Sequence, residues 1–206
     1  MSEEPSKSQK SSNFKKEILK WGALLAVIGV LYVTGLHTQV IGTAQRAMLW
    51  TGLFNANPDA YTDGPYLTDE DYEFLLQSSE GERMSLESFR GSVTFVNVWA
   101  SWCPPCIAEM PTIETLHQDL QDEGDIRFLM LSVDENPDDA ISFMENNDFE
   151  LPYHFPASPR PAHFRASTIP TTYVISKEGQ IVYEKEGLAN YSSNSFRNWL
   201  IELAAE

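Results

Sequence analysis

The chain has 206 residues, 42% of them apolar, and a formal charge of −16 from 30 Asp and Glu against 14 Lys and Arg, which suits one globular domain with an appendage. The charge is uneven: through Arg46 six Lys and Arg stand against three Asp and Glu (+3), and the remainder carries eight against 27 (−19). An acidic body of this kind repels phosphate backbones, which argues against a nucleic-acid partner, and most of the acid excess reads as solvated surface.

Met1 to Asn13 is polar, rich in Ser and Lys, and has no apolar periodicity that packs a core; it reads as disordered, and residues 1–17 as a cytoplasmic tail. Trp21 to Leu36 is an uncharged run, extended by Val40, Ile41 and Ala44. Residues 18–44 therefore form a candidate transmembrane anchor, long enough for a bilayer core of ~30 Å. Lys7, Lys10, Lys15, Lys16 and Lys20 precede the run and only Arg46 lies just beyond it, so the positive-inside bias leaves the N-terminus in the cytoplasm and the body outside. The competing reading is a cleaved signal peptide, since Gly42-Thr43-Ala44 presents small residues at a suitable spacing. The long polar leader and the length of the apolar run favour the uncleaved anchor. Either route exports the domain to a compartment where disulfide chemistry operates. The expected location is the cell membrane, single-pass, with the domain on the periplasmic side.

Residues 45–71 read as a membrane-proximal linker, with Asn55, Pro58, Asp59, Asp63, Gly64 and Pro65 interrupting a few apolar residues. The domain is expected over residues 72–206. Tyr72 to Gln77 and Arg83 to Ser85 flank a Gly81-containing turn as a hairpin. Ser85 is then placed to cap a short helical turn through Leu86 and Phe89, closed by Gly91.

The next stretch, Phe95-Val-Asn-Val-Trp-Ala-Ser-Trp-Cys-Pro-Pro-Cys106, carries the chemistry. Its β-branched and aromatic residues fit a strand buried on both faces. Pro104 and Pro105 fit the first turn of a helix, where a missing N–H costs nothing, and Pro111 falls where it should kink that helix. Cys103 then sits at the positive end of a helix dipole, which favours its thiolate; such thiols titrate from about 3.5 to about 7.5. A zinc site is disfavoured because the chain has no second cysteine pair and no closely spaced pair among His37, His117, His154 and His163. A purely structural disulfide across two residues constrains the unfolded chain very little. A redox dithiol is the reading that remains, with no metal and no cofactor beyond the Cys103–Cys106 pair itself.

Ile107, Met110, Ile113, Leu116 and Leu120 recur at helical spacing as a core stripe. Arg127 to Val133 reads as a buried strand, residues 138–146 as a helix, and Leu151 to Phe155 as a strand. Pro156, Pro159 and Pro161 impose a loop, and Ala162 to Ala166 reads as a brief helix. Thr171 to Ile175 and Gln180 to Lys185 flank Lys177-Glu178-Gly179 as a hairpin. Ser192 or Ser193 caps a last helix bearing Phe196, Leu200, Ile201 and Leu203. Strands separated by helices and closed by a hairpin imply an α/β fold, a mixed central sheet with helices on both faces.

Trp102-Cys-Pro-Pro-Cys106 after an aromatic strand, Pro111 in the following helix, and Ile169-Pro170-Thr171 before a later strand together resemble the thioredoxin fold, specifically its membrane-anchored TlpA/ResA-like thiol-disulfide branch. The resemblance covers roughly Tyr72 to the C-terminus. It implies that Cys103 attacks, that Cys106 resolves, that Pro170 is a cis-proline leaving the backbone of Ile169 free for an extended substrate, and that Trp102 touches the partner. A trans proline starting a strand is the plain alternative for Pro170. General thioredoxins carry a buried Asp where this chain has Asn97, which neither accepts nor delivers a proton at neutral pH. Glu109, three residues after Cys106, matches a functional glutamate of ResA-like proteins and is the candidate proton acceptor, against the reading of a solvated helix glutamate.

The function implied is reduction of disulfides in exported proteins, for example the haem-attachment cysteines of apocytochrome c during cytochrome c maturation, with a membrane thiol-reductant transporter as electron donor. Oxidase or isomerase activity uses the same residues and differs in potential. A peroxiredoxin-like peroxidase resembles this fold but carries Thr where this chain has Ala100. A copper-handling assembly factor, using the thiolates with His154 or His163, is the non-enzymatic alternative.

Overall fold

The computed structural model describes residues 63–206 except Ala166, together with positions 17, 20–22, 25, 29, 49, 52, 54–58. The chain divides into two units, Met1–Ile41 and Gly42–Glu206. In the first, the described positions are helical, with Trp21 and Leu25 more than 60% exposed. The expected span over residues 18–44 lies mostly outside the described residues, and among those described no helix is long and apolar enough to cross a membrane.

The second unit is a seven-stranded mixed sheet. Its strands are β1 (Leu75–Ser78), β2 (Arg83–Ser85), β3 (Val93–Trp99), β4 (Ile126–Ser132), β5 (Tyr153–Pro156), β6 (Thr171–Ile175) and β7 (Ile181–Glu186). Their spatial order is β2-β1-β5-β4-β3-β6-β7. The central strand β3 runs parallel to β4 and antiparallel to β6, and all seven of its residues are buried. That double burial is why β3 shows an apolar run in place of alternation.

Alternate residues of β3 feed two cores. Val93, Phe95 and Trp99 face one that contains Met110, Ile113 and Leu116, with Ala140, Met144, Phe196 and Leu200. These come from α2 (Pro104–Leu120), α3 (Pro137–Asn146) and α4 (Asn194–Ala205). Val96 and Val98 face the other core, closed by Tyr72, Leu86, Phe89 and Phe164. Helical elements therefore cover both faces, but unequally. Among the described elements, the three long helices share one face, and the other carries the short α1 (Asp69–Tyr72) and the 3-10 turns Leu86–Phe89 and Ala162–Phe164.

Local differences from the sequence reading have local causes. Tyr72 closes α1 and does not open β1, because Thr68 and Asp71 form a reciprocal capping box: Asp71 N–H donates to Thr68 Oγ1 at 3.2 Å and Thr68 N–H to Asp71 Oδ2 at 2.8 Å. Ser85 precedes the Leu86–Phe89 turn without a side-chain cap; Ser88 Oγ instead donates to the Ser85 carbonyl at 2.9 Å. The caps of α3 and α4 are Asn136 and Ser193. The β6–β7 hairpin turns at Gly179, whose φ of +86° and a Cβ position 2.6 Å from Tyr72 Oη require glycine.

The stretch expected as linker contributes to this unit. Leu67 N–H donates to the Gly179 carbonyl and Ala56 N–H to the Asn190 carbonyl, both at 2.8 Å, and Ala56 and Leu67 are buried. Their backbone groups find sheet and loop partners, which fastens the segment ahead of α1 to the domain.

Candidate functional site

β3 ends at Trp99 and hands the chain to α2 through Ala100, Ser101 and Trp102. Cys103 is the N-cap of α2, with Pro104 and Pro105 in the first turn. Since neither proline has an N–H, the first donor of the helix is Cys106, whose N–H donates to Cys103 Sγ at 3.3 Å. The two cysteines are joined as a disulfide with Cα atoms 5.3 Å apart. Cys103 is 3% and Cys106 0% exposed. Trp102, by contrast, is 64% exposed, while Trp99 is fully buried and packs its ring 5.7 Å from that of Phe143.

The loop ahead of β6 reaches the same point. The Ile169–Pro170 bond is cis, and the Ile169 carbonyl oxygen lies 3.7 Å from Cys103 Sγ. Pro170 is thus brought beside the dithiol from 67 residues away in sequence, and its own carbonyl accepts from Gly187 N–H at 2.8 Å.

Below the dithiol lies a buried polar cluster. Glu109, on the inner face of α2, is 0% exposed. Its Oε1 accepts from Asn97 Nδ2 at 2.8 Å and its Oε2 from the Ala189 N–H at 3.2 Å. Asn97 Nδ2 also donates to Thr172 Oγ1 at 2.9 Å. Burial pushes the Glu109 carboxyl up to about 8, against the opposing pull of the Asn97 and Ala189 hydrogen bonds and the Lys185 charge. Tyr183 and Tyr191 sit in the same region. Burial raises both hydroxyls, Tyr183 to about 12, and the nearby Glu109 adds to each shift. The solvated-glutamate reading of Glu109 is therefore overturned. A helix glutamate three residues after Cys106 points inward because β3 presents Asn97, a donor, where an apolar residue would reject it.

The Cys103, Cys106, Glu109, Ile169 and Pro170 expected from sequence thus converge, with Trp102 on the adjoining surface. His154 and His163, the distal candidates for copper, are placed elsewhere: His154 on β5 with its ring 6.2 Å from Phe89, and His163 on the turn 3.9 Å from Asp71. Sequence reasoning missed Asp134. Its carboxylate accepts from the Ser101 N–H at 3.0 Å, from Ser101 Oγ at 2.6 Å and from Ser132 Oγ at 2.8 Å. It therefore clamps the loop that carries Trp102 and Cys103. The available signal was its position just past the end of β4, since sites of open α/β sheets gather beyond the carboxyl ends of parallel strands.

In chemical terms the arrangement joins a dithiol at a positive helix end, a buried carboxyl tuned near neutrality, and the Ile169 backbone carbonyl beside the sulfur. Comparison with known proteins agrees. The thiol-disulfide oxidoreductase ResA of Bacillus thuringiensis subsp. konkukian is 27% identical over 115 residues, covering 55% of this chain and 66% of that protein. The thioredoxin-like protein YneN of Bacillus subtilis is 28% identical over 110 residues, covering 53% and 65%. The matches thus span just under two thirds of these relatives. A putative thiol:disulfide interchange protein DsbE from Chlorobium tepidum superposes with a TM-score of 0.58 at 21% identity, over 69% of this chain and 98% of that one, which establishes a thioredoxin-like fold. Residues 65–196 match the redoxin family, a stretch that runs from the strap ahead of α1 to the start of α4 and includes every residue of the dithiol site: the chain belongs to the redoxin family.

Proposed function

We propose that this protein is a membrane-anchored, extracytoplasmic thiol:disulfide oxidoreductase that reduces disulfides of exported proteins through Cys103 and Cys106. The observation that carries the reading is the disulfide at the start of α2 with Glu109 buried under it and the Ile169 carbonyl 3.7 Å from Cys103 Sγ. In the reduced state the Cys103 thiolate, favoured by the helix end and the Cys106 N–H, attacks one sulfur of a substrate disulfide. An S–S bond forms between Cys103 and that sulfur, and the second substrate sulfur leaves as a thiolate that takes a proton. Glu109 then accepts the Cys106 proton, and Cys106 attacks Cys103, releasing the remaining substrate thiolate and closing the Cys103–Cys106 disulfide. Two electrons pass to the substrate. A membrane thiol-reductant transporter must return them, and no metal or organic cofactor enters the cycle.

A carboxyl at about 8 suits this task, because a base is most effective when its pKa lies near the working pH. The backbone of Ile169 offers an extended substrate a pairing edge beside the sulfur, and the exposed Trp102 offers it a flat apolar contact. The exposed Trp21 and Leu25 in a helical segment, preceded by five lysines, support an anchor whose N-terminus is cytoplasmic. Apocytochrome c, with its paired haem-attachment cysteines, is the first substrate to test. The direction of electron flow is decided by the reduction potential: equilibration of the dithiol against glutathione is expected near thioredoxin's value of about −270 mV, and a value near DsbA's, about −120 mV, marks an oxidant instead.

A further inference from the structure

At the opposite end of the sheet from the dithiol lies a cavity of about 350 Å³. Two elements fix its distance. It is lined by Ile126 to Phe128 at the start of β4, whereas the dithiol follows Trp99, the β3 partner of Ser132 at the far end of β4; about six residues of strand separate the two, roughly 20 Å. It is also lined by His117 and Leu120 in the last turn of α2, whose first turn holds Cys106.

The lining has an unusual charge for this molecule. In a chain of net charge −16, among the described residues no Asp or Glu lines the cavity, while Arg127, His117 and His154 do. Arg127 is held in place by donating through Nη1 to the Ser88 carbonyl and by lying over the Phe89 ring, 4.4 Å from its centroid. Among the described residues it forms no ion pair with a carboxylate. His154 is 7% exposed and its Nδ1 is enclosed without a hydrogen-bond partner, which leaves Nε2 as the nitrogen able to meet a ligand. The His117 ring is braced edge-on against Phe128 at 4.9 Å. Burial holds both imidazoles below their ordinary value, so at neutral pH they serve as uncharged hydrogen-bonding groups and Arg127 supplies the charge. Of the other lining residues Gln121 is polar, and Met84, Phe89, Leu120, Ile126, Phe128 and Pro152 are apolar.

A fixed guanidinium with no carboxylate partner among the described residues recognises a carboxylate as a fork, and a cavity of this size with apolar side chains along part of its wall takes an organic body behind it. We propose that this cavity binds a small carboxylic acid with an apolar body, its carboxylate held by Arg127 and His154 and its body by the Phe89, Phe128 and Leu120 walls. Inorganic phosphate offers the charge but nothing for those walls. The inference is independent of the dithiol chemistry, and its test reads binding alone.

The test is calorimetric titration of the full-length protein in lipid nanodiscs, with empty nanodiscs as the blank, using 3-phenylpropionate, 3-phenylpropanol and inorganic phosphate. The acid is expected to saturate one site, with the alcohol and phosphate at least about tenfold weaker. Arg127→Gln should weaken the acid by about ten- to a hundredfold, as expected for losing a charged hydrogen-bond partner, and Arg127→Lys by less. Gln121→Trp, on the exposed rim of the cavity, should block binding with Arg127 intact; together with Arg127→Lys it decides the matter if Arg127→Gln does not fold. Absence of saturable binding by 3-phenylpropionate, equal binding of the alcohol, tighter binding of phosphate, or unchanged binding in the variants overturns the proposal.

Discussion

Glu109 holds a proton under conditions where a helix glutamate ordinarily has none, and the sign of that shift makes two measurements. Its carboxylate form grows as pH rises toward and through about 8, so the step in which Cys106 attacks should accelerate over that range. Glu109→Gln should flatten the pH–rate profile and slow exchange, with the fold retained; an unaltered profile for both cysteines returns Glu109 to a structural role. The second measurement is stability. Between the ordinary value of 4.5 and about 8 the folded domain holds a proton that the unfolded chain has lost. The unfolding free energy of the oxidised protein should therefore fall as pH rises through this window, by up to about 1.4 kcal/mol per pH unit from this group. Glu109→Gln should remove that component, as read by denaturant titrations at several pH values. Glu109 was legible as a candidate from its spacing to Cys106 together with the resemblance to ResA-like proteins, but its burial was not. That depends on Asn97, Thr172 and the Ala189 N–H, which come from β3, β6 and the loop after β7, and no local pattern reports such a meeting.

At the scale of elements, the legible features were those with repeated or paired signals. The apolar run of β3, the stripe of α2 and the Lys177-Glu178-Gly179 hairpin each present several agreeing residues. α1 has only four residues, too few for a helical period to show, so its acidic residues read as the end of the linker and Tyr72 as the start of the strand that follows. Asp134 was illegible for another reason. Its partners Ser101 and Ser132 lie on different strands' ends, and only the parallel β3–β4 register brings them together. The clamp has a consequence for the dithiol loop. Asp134→Ala leaves the Ser101 amide without its acceptor, which should cost about 1–3 kcal/mol and raise hydrogen exchange at Ser101 to Cys103. Unchanged protection of those amides contradicts the clamp, whatever happens to global stability.

For the whole molecule, the asymmetry of charge and the placement of the site point the same way. The proposed orientation puts the lysine-rich N-terminal region in the cytoplasm and the acidic domain, with its disulfide-forming pair, outside it. A reporter fused after Glu206 should be active only when it functions outside the cytoplasm; activity of a cytoplasmic reporter contradicts the orientation. The domain begins earlier than its motifs suggested, because the segment containing Ala56 and Leu67 pairs with the loops at Asn190 and Gly179, contacts that join residues more than a hundred positions apart. Mixed-disulfide trapping separates the roles proposed for the two cysteines, Cys103 attacking a partner disulfide and Cys106 releasing it. With each variant expressed in its native membrane and free thiols quenched by acid and alkylated, Cys106→Ser should accumulate reducible adducts with exported cysteine proteins, and Cys103→Ser almost none. Equal trapping by both variants, trapping only by Cys103→Ser, or no adduct with either contradicts this order of attack.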